Sequence, residues 1–145
     1  MLNPKDLLPH REPFIFIDEV IELRQNEYSK TKKYVRDDEF WVKGHFPDKP
    51  IFPGALILEV MAQTGGLIFR IDNGVGHNSD SHGIYMLKVN NLKLIKMVVP
   101  GETLIGEAFF LENIMNFRKA KTKLYSNNRM VAEAEITYVM QKKDL

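Results

Sequence analysis

His45 and Glu59 are the residues whose types and setting could carry acid–base chemistry, within "GHFPDKPIFPGALILEVMAQTGG", Gly44 to Gly66. The histidine stands in a proline-rich loop and is a base of suitable strength near neutral pH. The carboxyl stands in an apolar run: three and four positions to either side lie Ala55, Leu56, Ala62 and Gln63, of which only Gln63 is polar. Burial disfavours the charged form of a carboxyl, so Glu59 is expected to keep its proton to higher pH than an exposed glutamate. Between the two, Pro53-Gly54 opens a helix, where N–H groups without intrahelical acceptors and the positive end of the helix dipole face outward. Glycine there admits a ligand close to the backbone, and such an N–H suits a carbonyl oxygen that gains negative charge. A base, an acid and an oxyanion donor around an apolar cavity suggest proton abstraction beside a carbonyl. The plainer readings stand beside this one: a loop histidine is commonly a surface residue, and a lone helical glutamate commonly faces water.

Composition narrows the remaining options. The chain has 145 residues, 44% hydrophobic and 27% charged, which fits one domain over 1–145. Twenty basic and nineteen acidic residues leave a net charge of +1, so nothing points to nucleic acid. The absence of cysteine excludes disulfides, thiol catalysis and cysteine-ligated metal, and fits a reducing compartment. "MLNPKDLLPHREPF" lacks the pattern of a secretory signal, and the chain reads as cytoplasmic. Ile51 to Phe69 is apolar enough to be weighed as a membrane span, but Pro53, Gly54, Glu59, Gln63 and Thr64 interrupt it, and a buried soluble helix is the better reading. His10, His77 and His82 are too scattered to suggest a metal site, and no cofactor is implied.

The elements that must position these groups follow from local pattern. Asn3-Pro4 caps a short helix over Pro4 to Leu8. Strands are expected over Phe14 to Leu23 and over the polar Tyr28 to Val35, with a loop from Arg36 to Lys43 that carries the sole tryptophan, Trp41. The long helix should run from near Gly54 to near Asn73; Leu56, Ile57, Leu58, Val60 and Met61 go all round it, as in a helix buried on every side. Gly65 and Gly66 read as tolerated glycines or as points of close backbone approach. A polar loop, Gly74 to Ser81, precedes strands over Ile84 to Met97, Thr103 to Leu111, Phe117 to Ser126 and Arg129 to Gln141, with turns at Pro100-Gly101 and Asn127-Asn128. In the last strand Met130, Ala132, Ala134, Ile136, Tyr138 and Met140 share one face. One apolar helix with about six hairpin-linked strands predicts an α+β, hot-dog architecture, a curved antiparallel sheet wrapped about the helix. It leaves an open sheet edge and one helix face, which predicts a dimer.

With these residues in view, the sequence resembles the (3R)-hydroxyacyl-[acyl-carrier-protein] dehydratase family of type II fatty acid synthesis, FabZ type. "LLPHREPF" matches that family's opening, "GHFPDKPIFPGALILEVMAQ" its central signature at the same spacing, and "VVPGETL" and "VAEAEITY" its closing strands, so the resemblance spans nearly the whole chain. It implies a hot-dog fold, dimers that often assemble as three to a hexamer, and active sites shared between two subunits. It implies that His45 of one subunit works with Glu59 of the other on a 3-hydroxyacyl thioester held by acyl carrier protein. In that assignment His45 takes the C2 proton, Glu59 orients or protonates the departing hydroxyl, and the Gly54 N–H polarises the thioester carbonyl. Ile51, Phe52, Ala55, Leu56 and Gln63 would shape the pocket. Glutamate rather than aspartate at position 59 favours dehydration without isomerisation.

The sequence departs from the family pattern at the substrate mouth. The usual arginine-rich stretch is "NNLKLIKMVVPG", Asn90 to Gly101, with Lys93 and Lys96 and with Met97 in place of proline; a glycine-containing loop is "NIMNFRK"; and Asp48 replaces the more usual glycine. These changes suggest a specialised paralogue in lipid or polyene synthesis. An acidic carrier protein calls for a basic docking surface; the candidates are Lys88, Lys93 and Lys96 on one strand and Arg118, Lys119, Lys121 and Lys123 on another, the alternative being an ordinary solvated sheet face. Two other functions stay open: a hot-dog thioesterase, and a non-catalytic subunit paired with an active dehydratase.

Overall fold

A computed structural model of the chain describes residues 2–69 and 82–142. Asn3 caps the short helix α1 (Pro4–Leu7), its side chain accepting from Lys5 N at 3.0 Å. Then come β1 (Glu19–Arg24), β2 (Tyr28–Tyr34), the central helix α2 (Gly54–Leu67), β3 (His82–Leu94), β4 (Thr103–Ile114), β5 (Phe117–Ser126) and β6 (Arg129–Lys142). The strands form one antiparallel sheet in the order β1-β2-β4-β5-β6-β3. Helix α2 packs against β2 through β6, and the core lies between helix and sheet. This is the expected hot-dog arrangement. The buried face of β6 carries Ala132, Ala134, Ile136 and Tyr138, as its alternation requires. Asn127 and Asn128 both have positive φ, 53° and 63°, the conformation a two-residue hairpin turn demands.

Several boundaries differ from the sequence expectation. Helix α2 stops at Leu67 rather than near Asn73; past Gly65 and Gly66 its bonds tighten to three-residue spacing, Ile68 N to Gly65 O and Phe69 N to Gly66 O, both 3.2 Å. The expected loop Gly74 to Ser81 lies outside the described residues. Phe14 to Asp18 is not strand. Ile15, Phe16 and Ile17 are buried in succession; Phe14 O and Phe16 N bond to the side chain of Gln63 on α2, and the segment meets strand β2 only at its end, where Asp18 N donates to Lys32 O at 2.8 Å. The β4–β5 hairpin extends three residues beyond Leu111 and turns at Met115 (φ 55°) without a glycine. Strand β3 ends at Leu94, so Lys96 lies past the strand that carries Lys88 and Lys93.

Two further corrections concern the helix. Among the described residues it is not covered on all sides. Gly54, Ala55, Leu58 and Glu59, which share a face at three- and four-residue spacing, are exposed or only half-buried, while Ile57, Val60, Met61 and Leu67 are buried. Gly65 serves a side chain rather than a backbone: a Cβ there would sit 2.3 Å from the hydroxyl of Tyr138, which donates to Ala62 O at 2.7 Å.

The polar strand β2 does bury one face, but with polar side chains. Ser29 donates to Thr64 O at 2.6 Å, Thr31 and Thr64 hydroxyls meet at 2.8 Å, and Lys33 Nζ lies 3.1 Å from Glu39 Oε2 with both side chains nearly inaccessible. Glu39 also accepts from Arg36 N (2.7 Å) and Trp41 Nε1 (3.1 Å), and the Lys33 ammonium sits over the rings of Phe16 and Phe52. A buried charge left without its partner is costly, on the order of 3–5 kcal/mol. Lys33→Met is therefore expected to lower the unfolding free energy by about that amount, read from the urea midpoint at constant slope; a loss below about 1 kcal/mol, typical of an exposed pair, would show that the pair does not anchor the loop.

Candidate functional site

The loop anchored by Glu39 carries His45. Trp41 O accepts from His45 N at 3.0 Å, and Ile51 N returns a bond to His45 O at 2.8 Å, closing the loop on itself. The peptide between His45 and Phe46 is cis, and the two rings stack with centroids 4.2 Å apart. The imidazole Nδ1 lies 2.9 Å from Ile51 O. A carbonyl can only accept, so Nδ1 carries the proton of the neutral ring and Nε2 keeps its lone pair. The histidine is thus set as a base through one defined nitrogen. After Ile51 the chain is tied down by Phe52 N to Val98 O (2.7 Å) and then turns into α2, where Pro53 O accepts from Leu56 N and Ile57 N at 2.9 Å each. The Gly54 N–H precedes these and is among those with no acceptor within the helix.

Glu59 lies one turn beyond Gly54–Ala55 on the uncovered helix face. Its Oε2 accepts from Gln63 Nε2 at 3.0 Å. Gln63 is itself fully engaged: Nε2 also donates to Phe14 O (3.0 Å), and Oε1 accepts from Phe16 N (2.9 Å). Burial pushes the Glu59 carboxyl above the ordinary carboxylate range, and the Gln63 bond pulls it back only in part. Both residues line a cleft of about 410 Å³, measured with its open mouth, walled by Leu8, Ile84 and Met86 and containing a third polar side chain, His10. His10 Nε2 lies 3.6 Å from Glu59 Oε2.

The structure separates some residues that the sequence reading grouped. Of the five expected pocket residues only Gln63 lines this cleft. Phe52 and Leu56 are buried in the core, Phe52 packing edge-on against Trp41 with centroids 5.3 Å apart; Ile51 is half-buried, and Ala55 is at the surface. The reason is the path of the chain into the helix: Phe52, just before the Pro53 cap, packs against Phe16 and Trp41, and Leu56 in the first turn is buried while Ala55 faces out. His45 and Glu59 are joined by no hydrogen bond or ion pair within the chain. His10, Lys33 and Glu39 were not singled out from the sequence.

The basic candidates are mostly counterbalanced. Lys93 pairs with Glu133 (3.7 Å), Lys96 with Glu102 (3.1 Å), Lys121 with Glu133 (3.5 Å), and Lys119 with Glu112 and Glu135 (3.8 and 4.0 Å). Lys123 lies over the Phe109 ring, and Arg118 bonds to backbone carbonyls of Met115 and Phe117. Lys119, Lys121 and Lys123 do share the outer face of β5, as alternation predicts, but that face is a ladder of lysines and glutamates.

Comparison with known proteins decides the family. A model described as a FabA-like domain matches residues 8–135. The chain belongs to the FabA-like dehydratase family. It is 37% identical over 139 residues to the 3-hydroxyacyl-[acyl-carrier-protein] dehydratase FabZ of Lawsonia intracellularis, covering 95% of this chain and 90% of that one. It is 40% identical over 131 residues to the FabZ of Xanthomonas oryzae pv. oryzae, covering 90% and 84%. Among solved structures, the dehydratase heterocomplex ApeI:P of Xenorhabdus doucetiae superposes with a TM-score of 0.79 at 16% identity, covering 99% of this chain and 94% of that one. A hypothetical thioesterase of Streptococcus pneumoniae does so with a TM-score of 0.62 at 12% identity, covering 86% and 88%. Both are hot-dog folds, and at such identities the likeness concerns fold alone.

The raised carboxyl has a thermodynamic consequence. Because folded Glu59 holds its proton more tightly than the unfolded chain does, stability falls as pH rises from the ordinary carboxylate range through the folded value. Glu59→Gln removes that fall. The stability of Glu59→Gln relative to wild type should therefore grow across this window and level off above it, measured by urea unfolding at stepped pH; a pH-independent difference would mean that burial does not govern this carboxyl.

Proposed function

We propose that this dehydratase-family protein removes water from (3R)-3-hydroxyacyl thioesters carried on acyl carrier protein, giving trans-2-enoyl thioesters in fatty acid or related lipid or polyene synthesis. The observation that carries the reading is the presence of a base, His45, whose Nδ1 is turned to the Ile51 carbonyl, leaving Nε2 as its basic nitrogen, and of a carboxyl, Glu59, that burial pushes above the ordinary carboxylate range. His45 takes the C2 proton; the C2–C3 double bond forms as the C3–O bond breaks; the departing hydroxyl takes the Glu59 proton and leaves as water. The Gly54 N–H bears the charge that gathers on the thioester oxygen, and hydrogen bonds of this type are worth most in a dry site. A cytoplasmic location fits a chain with no cysteine.

The reaction needs both groups on one substrate, and the site is completed by a second copy of the chain. The uncovered helix face through Glu59 and the edge strand β3 support this: Tyr85, Met86, Leu87, Leu92 and Leu94 are exposed along an edge with unpaired backbone groups. In the dimer, His45 of one subunit faces Glu59 of the other, and Ile51 and Ala55 contribute to the shared pocket wall. Three such dimers would make the hexamer; sedimentation of the purified protein distinguishes the two.

His45→Ala should lower turnover by roughly 10²–10⁴-fold, the contribution of a positioned general base, followed as loss of enoyl absorbance during hydration of a crotonyl thioester. Near-wild-type rates in the variant would remove His45 from the chemistry, and release of free thiol instead would favour a thioesterase. Mixing His45→Ala with Glu59→Gln subunits should restore activity through heterodimers that each hold one intact site; no recovery after verified subunit exchange would place both residues in one chain's site.

Carrier docking is proposed for the β3 side, where Lys88, Lys93 and Lys96 lie. Lys93→Glu with Lys96→Glu should raise KM for carrier-bound substrate, the more so at low salt, and leave a short N-acetylcysteamine thioester unaffected. Equal loss on both substrates would indicate damage at the site, and no loss on either would move docking to the Arg118 end of the sheet.

A further inference from the structure

The dehydration assigned above uses His45, Glu59 and Gly54 and gives no role to His10, the histidine that lines the Glu59 cleft. His10 sits on the segment between α1 and Phe14, with its Nε2 3.6 Å from Glu59 Oε2. Gln63 reaches the same carboxylate oxygen from within the helix, at 3.0 Å. The two side chains therefore meet one oxygen from different elements. Their positions are linked, because Gln63 also grips Phe14 O and Phe16 N a few residues beyond His10. One clamp thus sets both the carboxyl and the segment that carries the imidazole.

We propose that His10 is a positioning residue for Glu59, holding the carboxyl in line with the departing hydroxyl and stabilising the carboxylate left when its proton has gone. The inference rests on the dehydration reading. A general acid must carry its proton before the step, and burial, which pushes the Glu59 carboxyl upward, favours that form. When the O–H bond of Glu59 breaks and the proton leaves with the hydroxyl as water, a charge appears on a carboxylate in an apolar cleft. An N–H at Nε2 of His10 is the donor at hand, and a hydrogen bond to an ionised group is about twice as strong as one between neutral groups. No proton passes from His10 in this step; it acts on the acid and does not touch the substrate.

Titratable and charged groups reach the His10 cleft from several elements. Helix α2 presents Glu59, and β6 presents the Tyr138 phenol, which is buried and donates to Ala62 O. From β3 come only Ile84 and Met86. On its own segment Arg11 turns to the carbonyls of Leu8 and His10, at 2.9 and 2.6 Å. Glu59 is the acid that lies against its Nε2, at 3.6 Å.

The test compares wild type, His10→Leu and His10→Gln, the last keeping an N–H donor near the Nε2 position, with folding checked by thermal unfolding. His10→Leu should lower kcat for dehydration by about tenfold, the scale of one hydrogen bond to a charged group, with KM changed less than about twofold. Loss of the donor makes Glu59 a weaker acid, so the alkaline limb of kcat against pH that reports its deprotonation should move to higher pH. His10→Gln should recover most of the plateau and return the limb towards its wild-type position. An unchanged limb and kcat in His10→Leu would overturn the proposal, as would equal losses in the two variants, which indicate packing. Wild type and His45→Ala are assayed alongside. If wild type lacks dehydratase activity, or His45→Ala retains it, the dehydration reading fails; if the His45 effect stands and His10→Leu is silent, only this inference fails.

Discussion

A single buried amide joins the parts on which the site depends. Gln63 lies inside α2, and its carbonyl and amino groups bond to Phe16 N, Phe14 O and the Glu59 carboxyl at 2.9–3.0 Å. A buried amide that lost these partners would be left with unmet donors and an unmet acceptor, each costing on the order of 1–3 kcal/mol. The 14–18 segment, with three successive buried apolar residues and no strand partner beside Phe14 and Phe16, is held by the same bonds. Geometry at the carboxyl and the path of the N-terminal chain are therefore not independent.

A second polar device sets the other half of the site. Lys33 and Glu39 are buried together, and Glu39 gathers Arg36 N and Trp41 Nε1. Trp41 O then receives His45 N. The histidine is thus fixed by a chain of bonds that begins on β2, on the far side of the helix start from Glu59. Glu59 stands on helix α2, and His45 on a loop tied by this chain of bonds to β2, which suits chemistry that needs reacting groups held within a fraction of an ångström. Among the described residues, none covers the Gly54, Ala55, Leu58 and Glu59 face fully. An apolar helix face and an unpaired strand edge on the same molecule are surfaces that a second copy can bury at once.

The electrostatics of the outer sheet carry less function than their lysines suggest. Alternation correctly placed Lys119, Lys121 and Lys123 on one face, yet Glu112, Glu133 and Glu135 stand among them. Opposite charges across neighbouring strands stabilise a solvated sheet face modestly, and they cancel most of the field that an acidic partner would feel.

The sequence by itself determined the fold class, the strand alternation of β6, the Asn127-Asn128 turn, and the identity and spacing of His45, Gly54 and Glu59, because these depend on local periodicity and on a contiguous motif. It also implied the desolvated carboxyl, since the helical neighbours of Glu59 are apolar, although the structure leaves that residue half-buried on an uncovered face. It did not determine that Phe14 to Asp18 would be held by a helix side chain, that a β-like strand of polar residues would bury Ser29, Thr31 and Lys33, or that His10 would reach Glu59. Nor did it show that Phe52 and Leu56 belong to the core while Ala55 faces out. Each of these turns on which residue from a distant part of the chain arrives to satisfy a polar group or fill a space, Gln63 for Phe16, Glu39 for Lys33 and Tyr138 above Gly65. Periodicity reports the face on which a side chain lies; only the tertiary structure decides what meets it there, because hydrogen-bond partners and packing contacts are set by distances in space and not by separation along the chain.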